Sequence, residues 1–253
     1  MIRKFMKWLG IALFWLTLWW FAATYGVKQE LLLPSPIRVL ERLGELAVQR
    51  EFWIATLMSL CRIFGGILIA GALGVTCGIL TAHSRFLREL LSPILAIIKA
   101  TPVASFIILA LVWISRGKLP VFIAALMVLP IIWTNVEQGI RQIDPQLTEM
   151  AKVFRFSSTK RLLHITFPSV LPYFAAACKT SLGLAWKAGI AAEVLSTPQN
   201  SIGKELFESK TFMETTDLFA WTVTVILLSI CMEKLFFSLL RLLLRKTHTG
   251  GSL

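Results

Sequence analysis

The sequence predicts an all-α membrane protein with six transmembrane helices. Three observations predict it. Hydrophobic residues make up 56% of the 253-residue chain against 16% charged residues, the mean hydropathy is +0.73, and the apolar residues gather into six runs. A helix needs about 20 apolar residues to cross a bilayer core about 30 Å thick. The runs from Trp8 to Tyr25, Ile54 to Thr81, Leu90 to Ile114, Leu119 to Val136, Val170 to Ala192 and Leu218 to Leu240 all come near that length.

Taken in order, the first run follows Arg3, Lys4 and Lys7, as a cleaved signal peptide would. However, Trp8, Trp15, Trp19 and Trp20 make it bulky and long, and a retained helix is expected. Leu33-Pro34-Ser35-Pro36 cannot continue a helix across its prolines. Beyond it Ile37, Leu40, Leu43, Leu46 and Ala47 recur at helical spacing, which fits either a helix on the outer membrane surface or an ordinary solvated linker helix. In the second run Gly66, Ala70, Gly74 and Gly78 lie four apart, the small-residue spacing that lets another helix approach closely, within the subunit or from a second one.

Lys99-Ala100-Thr101-Pro102 breaks the third run, since proline removes a backbone donor; such breaks stand beside cavities or are ordinary kinks. Arg62 and Glu137 lie nearer the ends of their runs. On the fifth run Lys179 and Trp186 are seven residues apart, about 20° from eclipsed, with Lys187 adjacent and Glu193 just beyond. Ionisable groups inside a membrane face a partner or a wet cavity. These residues therefore either line a solute pathway or form structural ion pairs and snorkelling contacts.

Orientation follows from the lysines and arginines flanking the runs. With a cytoplasmic N-terminus the inner segments hold thirteen (Arg3, Lys4, Lys7, Arg85, Arg88, Arg141, Lys152, Arg155, Lys160, Arg161, Arg241, Arg245 and Lys246). The outer segments hold eight (Lys28, Arg38, Arg42, Arg50, Arg116, Lys118, Lys204 and Lys210). Both termini are thus expected in the cytoplasm of one membrane domain spanning 1–253, with inner segments 1–7, 141–168 and 241–253. The Gly-Ser tail from Gly250 is not expected to be ordered.

Several functions are excluded. The net charge of +12 orients helices, and no basic-aromatic surface for nucleic acid is present. Cys61, Cys77, Cys178 and Cys231 lie inside apolar runs without paired spacing, and His83, His164 and His248 stand singly, so neither disulfides nor a metal site is indicated. Gly203-Lys204 fails as a phosphate-binding loop, with Pro198 where the first glycine belongs and Glu205 where Ser or Thr belongs. No catalytic residue is assigned, and no cofactor is expected in this chain.

The segment from Asp144 to Pro168 is a polar island between apolar runs. Pro145 opens a helix behind Asp144 as cap. Leu147, Met150, Ala151 and Phe154 then form a short apolar stripe flanked by Glu149, Lys152 and Arg155. Such a stripe lies against the protein's own helices or fits a groove in a soluble partner.

Glu149-Met150-Ala151, then Arg155, then Ile165-Thr166-Phe167-Pro168 resembles the EAA loop of bacterial ABC importer permeases: Glu-Ala-Ala, three residues, Gly, nine residues, Ile-x-Leu-Pro. The spacing agrees throughout, while Met150, Phe167 and Arg155 depart from the pattern, Arg155 standing where the family has glycine. Leu33-Pro34-Ser35-Pro36, the stretch from Ser59 to Gly66, Pro93, Thr101-Pro102, Trp186 and Ala192-Glu193 are similar to the nitrate/sulfonate/taurine branch. The resemblance implies a type I importer permease fold in the bacterial inner membrane. It also implies a pore of two permease copies, two ATP-binding subunits that hold ATP and Mg, and an extracytoplasmic solute-binding protein. Carried over, the loop is a coupling helix seated on the ATPase, with Glu149 as charged contact, Met150, Ala151 and Phe154 as apolar ones, and Pro168 opening the next crossing. The solute would be a small anionic or nitrogen- or sulfur-containing nutrient, though fold-level likeness is weak evidence for substrate. A secondary transporter or channel without an ATPase, and a scaffold docking another cytoplasmic partner, are the alternatives; finding a gene for a phosphate-binding-loop ATPase beside this one would discriminate against both.

Overall fold

The computed structural model describes residues 2–27, 29 and 31–248; the side chains of 2–5, 7–9, 12 and 239–248 are outside the description. The orienting charges Arg3, Lys4, Lys7, Lys28, Arg241, Arg245 and Lys246, the side chain of Trp8 and the tail from Gly250 therefore lie outside the described residues. What is described is helical, and it falls into two compact units. One comprises Met1–Ser59 with Thr197–Leu228, the other Leu60–Ser196 with Ser229–Leu253.

In the first unit, α1 (Ile2–Phe21) runs into a wider π turn at Ala22–Val27. α2 (Pro36–Val48) starts where local chemistry dictates. Ser35 caps it by accepting from the Arg38 N–H, and Pro36 occupies the first turn, where a missing donor costs nothing. Val39 and Leu46 are buried, whereas Ile37 and Leu40 face outward. Arg42 holds α2 to the start of α11 (Thr215–His248) through a two-pronged bond to Asp217, at 2.7 and 2.8 Å, and also reaches Glu45 at 2.7 Å. Those hydrogen bonds, Asp217 first and Glu45 second, raise the Arg42 pKa above its ordinary value. Phe52 stacks on Trp221 with ring centroids 4.9 Å apart, and the Ile202 N–H, opening α10 (Ile202–Thr211), donates to Ser59 Oγ at 3.0 Å.

The second unit carries most of α3 (Arg50–His83), then α4 (Arg85–Ala100), α5 (Val103–Ala110), α6 (Leu119–Arg141), α7 (Pro145–Val153), α8 (Ser158–Arg161) and α9 (Phe167–Ser196). The small-residue stripe of α3 packs on α6 of the same chain. A methyl added at Gly66 would meet the Val121 carbonyl oxygen at 2.5 Å, and one at Gly78 the Trp133 carbonyl oxygen at 2.9 Å. A methyl at Gly74 would meet the Ile132 side chain at 3.0 Å, and Ala70, between Gly66 and Gly74, is fully buried. Only small residues permit that approach. On the other side of α6 a core of Ile107, Leu119, Ile123, Met127, Ala188 and Ala192 joins α5, α6 and α9.

The third apolar run is not one rod. α4 and α5 meet at 102°. The reason is Thr101-Pro102. Proline drives the residue before it out of helical geometry, and Thr101 sits at φ −80°, ψ 128°, with Pro102 leading into α5. Among the described residues Arg50–His83, Leu119–Arg141 and Thr215–Ser238 are long and apolar enough to cross a bilayer, and the α4–α5 pair adds a fourth if it is one span. α9 has the length, at 30 residues, but Lys179 and Lys187 interrupt its apolar run. The first run contributes a shorter apolar stretch, Leu13–Val27.

Candidate functional site

α7 is capped as the sequence requires: the Asp144 carboxylate accepts from the Gln146 N–H at 2.8 Å, and Pro145 fills the first helical position. The helix ends in a full Schellman closure. The Phe156 N–H reaches back to the Ala151 carbonyl at 2.9 Å and the Arg155 N–H to Lys152 at 3.1 Å. This geometry demands a left-handed residue between them. Arg155 supplies it at φ 50°. The position at which the family pattern has glycine is therefore a true left-handed turn, and the arginine adopts the glycine conformation at a cost of roughly 1–2 kcal/mol.

The closure sets what α7 presents. Ala151 is buried within the chain at 4% exposure, while Met150, Val153 and Phe154 are exposed, Phe154 at 69%. Ala151 therefore packs inward within the chain, while Met150 and Phe154, its neighbours in the expected stripe, face outward. Glu149 is exposed on the same short helix and makes no ion pair among the described residues.

Beyond α7 the chain turns through α8, capped by Ser157, into a π turn at Leu162–Thr166. Pro168 follows directly at the second residue of α9. It cannot donate the next i→i−4 bond, and the wider turn before it, closed by the Phe167 N–H on the Leu162 carbonyl, accommodates the missing donor.

Where α7 leaves α6, a polar knot ties three helices together, and sequence reading missed it. Glu137 on α6 accepts from Thr81 Oγ1 of α3 at 2.8 Å, and its other oxygen lies 3.0 Å from Arg88 Nε of α4 and 3.6 Å from Arg141 Nη1. Trp133 Nε1 donates to Thr81 Oγ1 at 2.9 Å. The only available signal was the charge of Glu137 at the end of an apolar run.

The ionisable residues of α9 separate. Glu193 is fully buried and pairs with Arg62 Nη1 of α3 at 3.2 Å. Trp186 is closed off at 1% exposure, whereas Lys179 and Lys187 are exposed. The near-eclipsed spacing of Lys179 and Trp186 thus does not give them a shared surface. Lys179 Nζ lies 5.5 Å from the centroid of the Phe237 ring, a cation–π distance. Lys99 and Pro102 are exposed, and the Thr101 hydroxyl returns to the Ile97 carbonyl at 2.8 Å. Among the described residues no cluster of His, Cys, Asp or Glu is arranged to hold a metal.

Residues 74–249 match the family of binding-protein-dependent transport system inner membrane components. The chain belongs to that family. This permease is 26% identical over 232 residues to the putative aliphatic sulfonates transport permease protein SsuC of Bacillus subtilis, covering 91% of the present chain and 82% of the relative. It is 31% identical over 153 residues to the bicarbonate transport system permease protein CmpB of Synechococcus elongatus, covering 60% of this chain and 55% of that one. The permease fold also resembles the crystal structure of an amino acid ABC transporter with histidines, at a TM-score of 0.59 and 16% identity, over 75% of this chain and 91% of the other. The permease is a membrane subunit and not an enzyme, and ATP hydrolysis resides in a separate subunit of such systems.

Proposed function

We propose that this permease forms the pore of an ATP-driven nutrient importer as a homodimer, each copy crossing the inner membrane six times with both termini in the cytoplasm. α7 is the coupling helix that rests on a partner ATPase. The observation that carries the reading is the surface of α7. Glu149, Met150 and Phe154 are exposed together on a short helix pinned at one end by Asp144 and Pro145, and at the other by the left-handed turn at Arg155. An exposed charged-and-apolar face on a rigid, capped helix is what a groove in a soluble subunit would recognise.

Closure of two ATPase subunits, driven by the ATP and Mg they bind, would move α7 as a lever. The π turn and Pro168 would carry that motion into α9, and the Glu137 knot would carry it into α3 and α4, opening the pore alternately outward and inward. A solute-binding protein outside would deliver the cargo. The relatives named for sulfonates and bicarbonate support a small anionic solute. The exposed Lys99, Lys179 and Lys187, with the break at Thr101-Pro102, are the candidates to face it. Trp186 and the Arg62–Glu193 pair, buried in the chain, brace that region from behind.

Charge reversal at Glu149 tests the proposal. Glu149→Arg should abolish ATP-dependent uptake in membrane vesicles while the protein inserts at normal levels. Normal uptake by that variant would remove α7 from the coupling path.

A further inference from the structure

At the root of the α7–α9 connection the structure has two adjoining hollows, one almost wholly apolar and one with basic and hydroxyl groups in its lining. One is a cavity of about 210 Å³ whose lining is apolar apart from Thr166 and includes Val75 of α3, Val136 of α6, and Val170, Leu171 and Phe174 of α9. The other, about 540 Å³, opens beside it and is bordered by His83, Arg141 and Arg161, with the hydroxyl residues Thr148 and Ser158. Ile79, Ile140, Leu162 and Thr166 border both, so the two share a wall.

The two arginines have unused donors. Arg161 is exposed and has no ion-pair partner among the described residues. Arg141 approaches Glu137 only at 3.6 Å, through one nitrogen. The Nδ1 atom of His83 faces the Ile79 carbonyl at 2.8 Å. A carbonyl cannot donate, so Nδ1 carries the proton, and Nε2 of the neutral ring is an acceptor that adds no donor toward an anion; the arginines supply the donors.

We infer that this composite site binds an anionic phospholipid, with the phosphate of the headgroup between Arg141 and Arg161 and an acyl chain in the apolar cavity between α3, α6 and α9. The chemistry is complementary at both ends. A basic pocket between membrane helices attracts anionic headgroups, and a cavity whose lining is apolar except for Thr166 receives hydrocarbon with little polar surface to desolvate. The occupant would wedge the π turn at Leu162–Thr166 against α3 and α6, and would so set the angle at which the connection from α7 enters α9. Inorganic phosphate has no chain for the cavity, and a zwitterionic lipid has no net charge for the arginines. The inference relies on the coupling reading only for the side of the membrane.

The test uses the full chain purified in detergent and titrated with dioleoyl phosphatidylglycerol and dioleoyl phosphatidylcholine, with bound lipid counted by native mass spectrometry. Phosphatidylglycerol should bind in preference. Arg161→Gln, a change on an exposed side chain, should cut that preference roughly fivefold, and Leu171→Trp, which fills the cavity, should weaken both lipids together. Equal binding of the two lipids, an undiminished preference in Arg161→Gln, or displacement of the lipid by equimolar inorganic phosphate would each overturn the inference. Arg161→Gln decides the matter even where Leu171→Trp fails to fold. Lipid binding in detergent needs no ATPase. If the lipid preference is absent while Glu149→Arg still abolishes uptake, the lipid site alone falls. If the preference stands while Glu149→Arg transports normally, the coupling reading alone falls.

Discussion

Replacing Arg155 by glycine should stabilise the end of α7. The arginine holds φ at 50°, in the left-handed region, where its Cβ crowds the following carbonyl at roughly 1–2 kcal/mol. Glycine removes that strain but brings about 0.5–1 kcal/mol of additional chain entropy to the unfolded segment. The difference leaves a net gain of about 0.5–1 kcal/mol. It should be read where it acts, in the amide exchange of Arg155 and Phe156, whose N–H groups make the two closing bonds to Lys152 and Ala151. In the glycine variant the Phe156 amide should exchange roughly two- to fivefold more slowly. Arg155→Ala keeps a Cβ and should change little. If alanine protects the amides as well as glycine does, or if glycine speeds exchange, the left-handed turn is not the strained element and the reasoning fails.

Other predictions rest on separate contacts. Gly66→Ala should lower the melting temperature, since its methyl would meet the backbone oxygen of Val121 and overpacking costs about 1–3 kcal/mol. Gly71→Ala, with open space around its Cα, should leave it unchanged or raise it through the better helix propensity of alanine. Glu137→Gln should destabilise by about 1–3 kcal/mol, less than a fully buried pair would lose, because Arg88 keeps partial access to water; thermal unfolding in detergent measures it. Lys179→Ala should reduce uptake of an anionic solute severalfold without weakening ATPase docking, and unchanged uptake would leave its contact with Phe237 as its whole role.

Much of this was legible in the sequence because it depends on neighbours in the chain. Ser35-Pro36 and Asp144-Pro145 set helix starts through their own side chains, and Thr101-Pro102 broke the third run because proline acts on the residue before it. The glycine spacing on α3 revealed a close approach but not its partner, since only the fold brings Val121 and Trp133 against it. Arg62 and Glu193 were each visible as costly charges, yet their pairing spans 131 residues, and no local rule joins them. The face of α7 was half legible. Periodicity gathered Ala151 with Met150 and Phe154, and only tertiary packing showed that Ala151 turns inward. Arg155 was the reverse case: an arginine gives no sign of a left-handed turn, its departure from the family's glycine left the turn open, and only the backbone showed it at φ 50°.

The central claim, that α7 is the face through which an ATPase drives this permease, is tested most directly by the affinity of the purified permease for its partner ATP-binding subunit, measured with and without Glu149→Arg. Loss of a charged contact exposed on α7 should weaken that affinity at least tenfold, by roughly 1.4 kcal/mol or more, while thermal stability stays that of the parent. An equal affinity in the two proteins would contradict the account.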